Sequence, residues 1–132
     1  MATKKPTRSK LVKKLDTVFS LWVRQSNADK NNMCTCVTCQ KQFHWKEIQA
    51  GHFISRKHYS TRWDEDNVKP QCVGCNVFRY GEQYKFSLFL GLNVAEVLYL
   101  KSQEIKKFSN NGSKQACLVR PDSSISSGFL NF

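Results

Sequence analysis

Two cysteine pairs with a two-residue spacer, Cys36-x2-Cys39 and Cys72-x2-Cys75, stand 32 residues apart in this chain. That spacer lets the backbone turn back with its amides facing the sulfurs, and two such knuckles together supply the four thiolates of one closed, tetrahedral structural Zn²⁺. Cys34 offers a competing Cys34-x-Cys36 pair, but the longer spacer favours Cys36 with Cys39, which leaves Cys34 and Cys117 as free thiols. A redox dithiol would call for a thioredoxin-like strand and helix around one pair, and neither has it. Between and just after the knuckles come Gly51-His52, Asn67 and Asn76, the last directly after a zinc ligand.

The elements that must position these groups can be read from periodicity. Leu11, Leu15, Val18, Phe19, Trp22 and Val23 fall at helical spacing and predict an amphipathic helix over 10–26, with Ser9 as N-cap, Asp16 and the lysines on the outer face, and the Ser, Asn and Asp residues of 26–32 ending it. Residues 42–45 and 49–54, with Phe43, Trp45, Phe53 and Ile54, read as two short strands paired in a hairpin that carries His52. Residues 55–70 read as a polar loop. The second knuckle opens a helix to about Tyr80, stopped by Gly81. Further helices are expected over 82–90 and 94–108, their aromatic and aliphatic positions, through Ile105 and Phe108, taken as core. The whole reads as a basic leader over 1–8, one domain over 9–108 with its core at 34–81, and a flexible Ser, Asn and Gly-rich tail over 109–132, with no internal repeat.

The fold class is therefore α+β: a small zinc-stabilised core with flanking helices. Hydrophobic residues at 40% and charged residues at 23% exclude a disordered or fibrous chain. No apolar run reaches the roughly 20 residues of a membrane span, and none follows the N-terminus as a secretory signal would. No membrane partner is expected, and the cytoplasm is the expected compartment. Lys and Arg number 21 against 10 Asp and Glu, a net charge of +11, which points to a polyanion. Lys4, Lys5 and Arg8 in the leader form a candidate DNA-binding arm.

The hairpin histidine, the loop asparagine and the asparagine after the second knuckle resemble the HNH branch of the ββα-metal (His-Me finger, treble-clef-like) nucleases over residues 34–81. More narrowly, Gln49-Ala50-Gly51-His52-Phe53-Ile54-Ser55-Arg56, Thr61-Arg62-Trp63, Asn67-Val68, Gln71-Cys72 and Cys75-Asn76 resemble the NinG (Rap) recombination endonucleases of lambda-like phages. The helix with Lys13-Lys14-Leu15-Asp16 and Phe19-Ser20 is also similar, so the likeness spans about 9–108. It implies a divalent-metal-dependent endonuclease acting on branched recombination intermediates such as Holliday junctions, in the cytoplasm of the phage's host. His52 is its general base, Asn76 a ligand of catalytic Mg²⁺ or Mn²⁺, and Asn67 the residue that holds the loop and orients the histidine backbone. Arg56 and Arg62 would bind phosphates, and His58 is a further candidate DNA contact.

The residues could do this chemistry unaided. A histidine with an ordinary pKa near 6.5 can take a proton from an attacking water, and a hard cation on oxygen ligands can offset the charge on a phosphoryl group. One departure stands out: many HNH enzymes place Asp or His before the base as a second metal ligand, and here that residue is Gly51. Either the metal rests on Asn76, water and substrate phosphate, or Gln49, Asp64 or Asp66 reaches in. Two alternatives stay open, a zinc-ribbon or treble-clef module that binds nucleic acid without cutting it, and an HNH endonuclease acting on linear duplex. Pairing of two chains as a homodimer through the apolar helices at 10–26 and 94–108 is also open.

Overall fold

The structure is a computed structural model that describes residues 4–104. The expected tail, Ile105, Phe108 and Cys117 lie outside the described residues. The chain runs α1 (Arg8–Ser26), β1 (Met33–Thr35), β2 (Gln42–His44), β3 (Gln49–His52), β4 (Val68–Gln71), a single π-helical turn (Gly74–Phe78), α2 (Gln83–Leu90) and α3 (Leu92–Gln103).

Helix α1 starts one turn's edge earlier than expected. Its N-cap is Thr7, whose side chain accepts from the Lys10 amide at 3.4 Å, in place of Ser9. Asn27 closes it, donating from Nδ2 to the Val23 carbonyl at 2.7 Å. The apolar positions divide into two stripes one residue apart. Val23 is buried and Val12 and Phe19 are half-buried, whereas Leu11, Leu15, Val18 and Trp22 are exposed. Asp16 belongs to the inward stripe, not the outer face expected for it.

The expected hairpin of 42–45 with 49–54 does not form. β2 instead pairs antiparallel with β1 (Cys34 opposite Phe43), and β3 pairs antiparallel with β4, placing Gly51 opposite Lys69 and His52 opposite Val68. The reason lies at the junction: the Glu47 and Ile48 amides both donate to the His44 carbonyl (2.8 and 3.2 Å), and this turn drives Ile48 into the core before β3 begins. The stretch 55–70 thus ends in a strand, and its remainder is a chain of tight turns. α1 packs across both β3 and β4.

The core is small. Cys34, Cys36, Ile48, Cys72 and Cys75 are buried together, with Ala28, Cys39, Phe43 and Trp45 packed around them. A second contact joins the sheets to the carboxyl-terminal helices: Phe53 meets the buried Phe86 of α2 at 5.7 Å between ring centroids. α3 is tied to the 55–66 turns by a Lys101–Asp64 ion pair and by His58 Nδ1, which donates to the Ser102 carbonyl at 3.0 Å. Of the apolar positions on α2 and α3 taken as core, Phe86 and Leu98 are buried, while Tyr84, Leu88, Phe89, Leu92, Val97, Tyr99 and Leu100 face outward.

Candidate metal centre and cleft

The two knuckles meet as their spacing requires. The Sγ atoms of Cys36, Cys39, Cys72 and Cys75 all lie within 4.8 Å of one another. Cys39 and Cys72 are 3.8 Å apart, the separation that two sulfurs at ~2.3 Å from one tetrahedral Zn²⁺ must have. Each loop turns through its own backbone: the Gln40 amide donates to the Cys36 carbonyl at 2.9 Å, and the Asn76 amide to the Cys72 carbonyl at 2.8 Å. Burial would raise the Cys36 thiol, but hydrogen bonds from the Cys72 amide, the Thr38 hydroxyl and the Cys39 and Thr38 amides outweigh it and bring it down to about 6. The buried Cys72 thiol is pushed up to about 12. Arg79 Nη2 donates to Cys75 Sγ at 3.0 Å, a further support for negative charge on sulfur. The four cysteines could therefore hold one zinc ion. Cys34 stays outside the cluster; buried, its thiol is pushed above its ordinary value and donates to the Arg24 carbonyl at 3.0 Å.

Beside this centre lies an open cleft of about 1010 Å³. His52, Asn76, Gln49, Arg56, Arg24 and Lys46 line it. His52, the last residue of β3, is half-buried, and its Nε2 sits 3.0 Å from the Arg62 carbonyl. A carbonyl only accepts, so Nε2 carries the hydrogen and the lone pair of the neutral ring is on Nδ1. Burial holds the pKa of His52 below its ordinary 6.5, helped by the nearby Arg56 charge and opposed by the Arg62 carbonyl. Asn76 points its Nδ2 at Gln49 Oε1 (2.8 Å), which leaves Oδ1 as the acceptor end of its amide. Of the carboxylates weighed as partners for it, Asp64 is taken by Lys101, and the acidic residue lining the cleft is Glu47.

Asn67 is fully buried and closes the 54–67 turns on themselves: its Oδ1 accepts from the Ile54 amide (2.6 Å), and its Nδ2 donates to the Ile54 and Thr61 carbonyls (3.0 and 2.9 Å). Its own carbonyl accepts from the Phe53 amide at 2.9 Å, directly after His52.

Arg62, expected on phosphate, is held inward. Its Nε and Nη2 donate to Asp16 at 2.9 and 2.6 Å, its Nη1 donates to the Arg56 carbonyl at 2.8 Å, and its side chain is only 15% exposed. Trp63 Nε1 adds a third bond to the Asp16 carboxylate at 2.9 Å. The Arg62 hydrogen bonds hold that carboxylate below its usual range. His58 is engaged with α3 as described. Arg56, Lys4 and Lys5 are exposed, and Arg8 lies over the Tyr59 ring at 5.4 Å.

Three residues of this site were not legible in the sequence. Asp16 sits 46 positions before Arg62, so no local pattern links them. Gln49 was weighed for the metal but not as the partner of Asn76. Gln71 is fully buried, with Nε2 donating to the Gly81 carbonyl at 2.8 Å and to Thr38 Oγ1 at 3.3 Å. It also explains Gly51: a Cβ there would lie 2.2 Å from Gln71 Oε1 and 2.8 Å from Gln71 Cβ.

The family model described as Bacteriophage Lambda NinG protein matches residues 2–118. No curated protein and no solved structure gives a significant match.

Proposed function

Because the chain belongs to the bacteriophage lambda NinG family, we propose that it is a metal-dependent DNA endonuclease of the HNH type that acts on branched recombination intermediates. The observation that carries the proposal is His52: Nε2 donated to a backbone carbonyl, Nδ1 left as a base, and burial keeping the ring neutral, all in one cation-lined cleft with Asn76. The order β3, loop, β4, helical turn supports a ββα-metal core, with His52 on the first strand, Asn67 in the loop and Asn76 on the turn. The family's association with phage recombination supports branched DNA as substrate. His58 is likewise half-buried and bonded to a backbone carbonyl, but it lines no part of this cleft; His52 differs in having its second ring nitrogen at the cleft beside Asn76.

In this reading His52 Nδ1 takes the proton of a water that attacks the phosphorus; one P–O bond forms as one ester P–O bond breaks. General-base assistance of this kind is worth about 10²–10⁴ in rate. Asn76 Oδ1 and the Glu47 carboxylate, both lining the cleft, are the oxygen donors that would hold a hard cation there together with water and substrate phosphate. Such an ion, Mg²⁺ or Mn²⁺, supplies charge stabilisation on the phosphoryl oxygens and leaving group. The zinc would be structural, fixing Cys75 and with it Asn76 at the cleft that His52 lines, and Arg62 is a positioning residue.

Arg56 and Lys46 meet phosphates at the cleft, while Arg24, held by the Ser20 and Trp45 carbonyls, adds fixed positive charge to its wall. Arg8 is 16 residues up α1 from Arg24, about 24 Å along the helix axis at ~1.5 Å per residue. Lys4, Lys5 and Arg8, at the far end of α1, would meet phosphates outside the cleft. These contacts position DNA without reading its sequence.

The test is nicking of supercoiled plasmid with Mg²⁺ and with EDTA, followed by cleavage of a four-way junction against linear duplex of the same sequence. Metal-dependent cutting with preference for the junction is expected. No cutting under any divalent metal would leave the binding-module reading, and equal cutting of both substrates would remove the branch preference.

A further inference from the structure

The turn after the second knuckle ends in three successive residues with positive φ: Tyr80 at 53°, Gly81 at 85° and Glu82 at 47°. Glycine takes this conformation freely, but a residue with a Cβ is sterically penalised there and stays only where its surroundings over-determine it. Those surroundings are present. The Gly81 amide donates to the Cys75 carbonyl at 2.8 Å, Gln71 Nε2 donates to the Gly81 carbonyl at 2.8 Å, and Arg79 Nε pairs with the Glu82 carboxylate at 3.3 Å.

What this backbone delivers is an aromatic ring in water. Tyr80 is 91% exposed, yet it lines the cleft that holds His52, Asn76 and Arg56. The turn itself is held by the Gly81 bonds, but a ring so exposed contributes little to folding, and nothing in the turn's bonding calls for an aromatic side chain at position 80. Phe78, on the same turn and 74% exposed, does not line the cleft. The other groups around Tyr80's cleft include Arg24, Lys46 and Arg56. An aromatic face within a cation-lined groove is the chemistry of unpaired nucleic acid: cations meet phosphates while a base stacks on the ring. In continuous duplex a base must be extracted from an unbroken stack at a cost of about a few kcal/mol, whereas a branch point interrupts the stack and lowers that cost.

We infer that Tyr80 is a base-stacking residue that receives an unstacked base of the DNA in the cleft and thereby supplies the preference for branched over continuous duplex. This rests on the reading of the cleft as a DNA site.

The test uses the full chain with His52→Ala, so that DNA is bound without being cut. It compares a four-way junction carrying 2-aminopurine at the branch with a linear duplex of the same sequence. Tyr80→Gly removes the ring and also relieves the backbone, so its melting temperature should hold or rise. Its junction affinity should fall by about 5- to 160-fold, the usual range for losing one base–aromatic stack, with duplex affinity unchanged and the 2-aminopurine response lost. Tyr80→Phe should keep both, and so should Phe78→Ala. Junction binding by Tyr80→Gly equal to that of its parent, or an equal loss in Phe78→Ala, would overturn the assignment of Tyr80 alone. A parent that binds neither DNA would overturn it together with the proposed function.

Discussion

Asp16→Asn should separate stability from catalysis in a measurable way. The carboxylate takes two bonds from the Arg62 guanidinium and one from the Trp63 indole, and the two side chains of the ion pair are 15% and 21% exposed. Fully exposed pairs are worth ~0.2–1 kcal/mol and breaking a buried one costs ~3–5 kcal/mol, so this pair should be worth about 2 kcal/mol. In a domain of this size that is a melting-temperature drop of about 8–16 °C, which leaves the protein folded at 25 °C. The rate should fall much further. Arg62 presents the carbonyl that fixes His52, and misplacing a reacting group by ~1 Å costs about 10²-fold. Single-turnover cleavage at saturating enzyme reads this without interference from DNA affinity. Asp16→Glu, which can re-form the pair, should recover part of both losses. Asp16→Asn cleaving at the wild-type rate while melting lower would refute the link from α1 to the base and leave Asp16 a stabilising residue only.

Chelation of zinc, or Cys36→Ser, should unfold the region around both knuckles, because the core is largely the cysteines themselves and structural zinc contributes ~10–16 kcal/mol in small domains, as much as the whole stability of most; metal analysis with thermal melting checks it, and full zinc with native melting in Cys36→Ser would count against the cluster. His52→Ala should lower the cleavage rate by about 10²–10⁴ while leaving DNA affinity nearly intact. The wild-type rate should rise with pH and level off with an apparent pKa below 6.5, as burial of His52 dictates. In the window between that folded-state pKa and 6.5 the unfolded chain binds more protons, so stability should also rise with pH there, and His52→Ala should flatten that slope in pH-dependent melts. Asn67→Ala leaves the Ile54 amide and the Ile54 and Thr61 carbonyls without their partner; at ~1–3 kcal/mol for each buried orphan, a loss of about 3 kcal/mol or more should appear in urea titration.

The cysteine cluster was more legible than the fold that carries it. The knuckles announce themselves because a zinc ligand set needs a fixed local spacing, and Asn76 follows from Cys75. Strand pairing was misread because β4 gives no signal of its own: Val68-Lys69-Pro70-Gln71 holds a proline and a lysine and no apolar alternation, and its role comes from the buried Gln71 and from closure of the intervening turns by Asn67. The helices were found within a few residues, yet their faces were not. On α1, Leu11, Leu15, Val18 and Trp22 have the same spacing as Val12, Asp16, Phe19 and Val23, and periodicity alone cannot say which stripe turns inward. Arg62 and His58 looked like DNA contacts because they are basic and near the motif; their partners, Asp16 and the Ser102 carbonyl, come from helices far off in sequence.

The close packing of Gly51 on Gln71 constrains how this cleft could evolve. For the proposed cation site, a carboxylate or imidazole at position 51 would offer another ligand, but the Cβ of such a residue would fall on the Gln71 side chain. Gln71 in turn holds the Gly81 carbonyl, and with it the end of the turn that carries Asn76 and Tyr80. A single substitution toward a richer metal site would therefore disturb the ligand it was meant to assist. Because the Gln71 Cβ itself would lie 2.8 Å from a Cβ at 51, even alanine at 71 leaves a clash; the two positions are epistatic, and a survey of laboratory-evolved variants should recover changes at 51 only in company with glycine at 71 or a shift of the β3–β4 pairing.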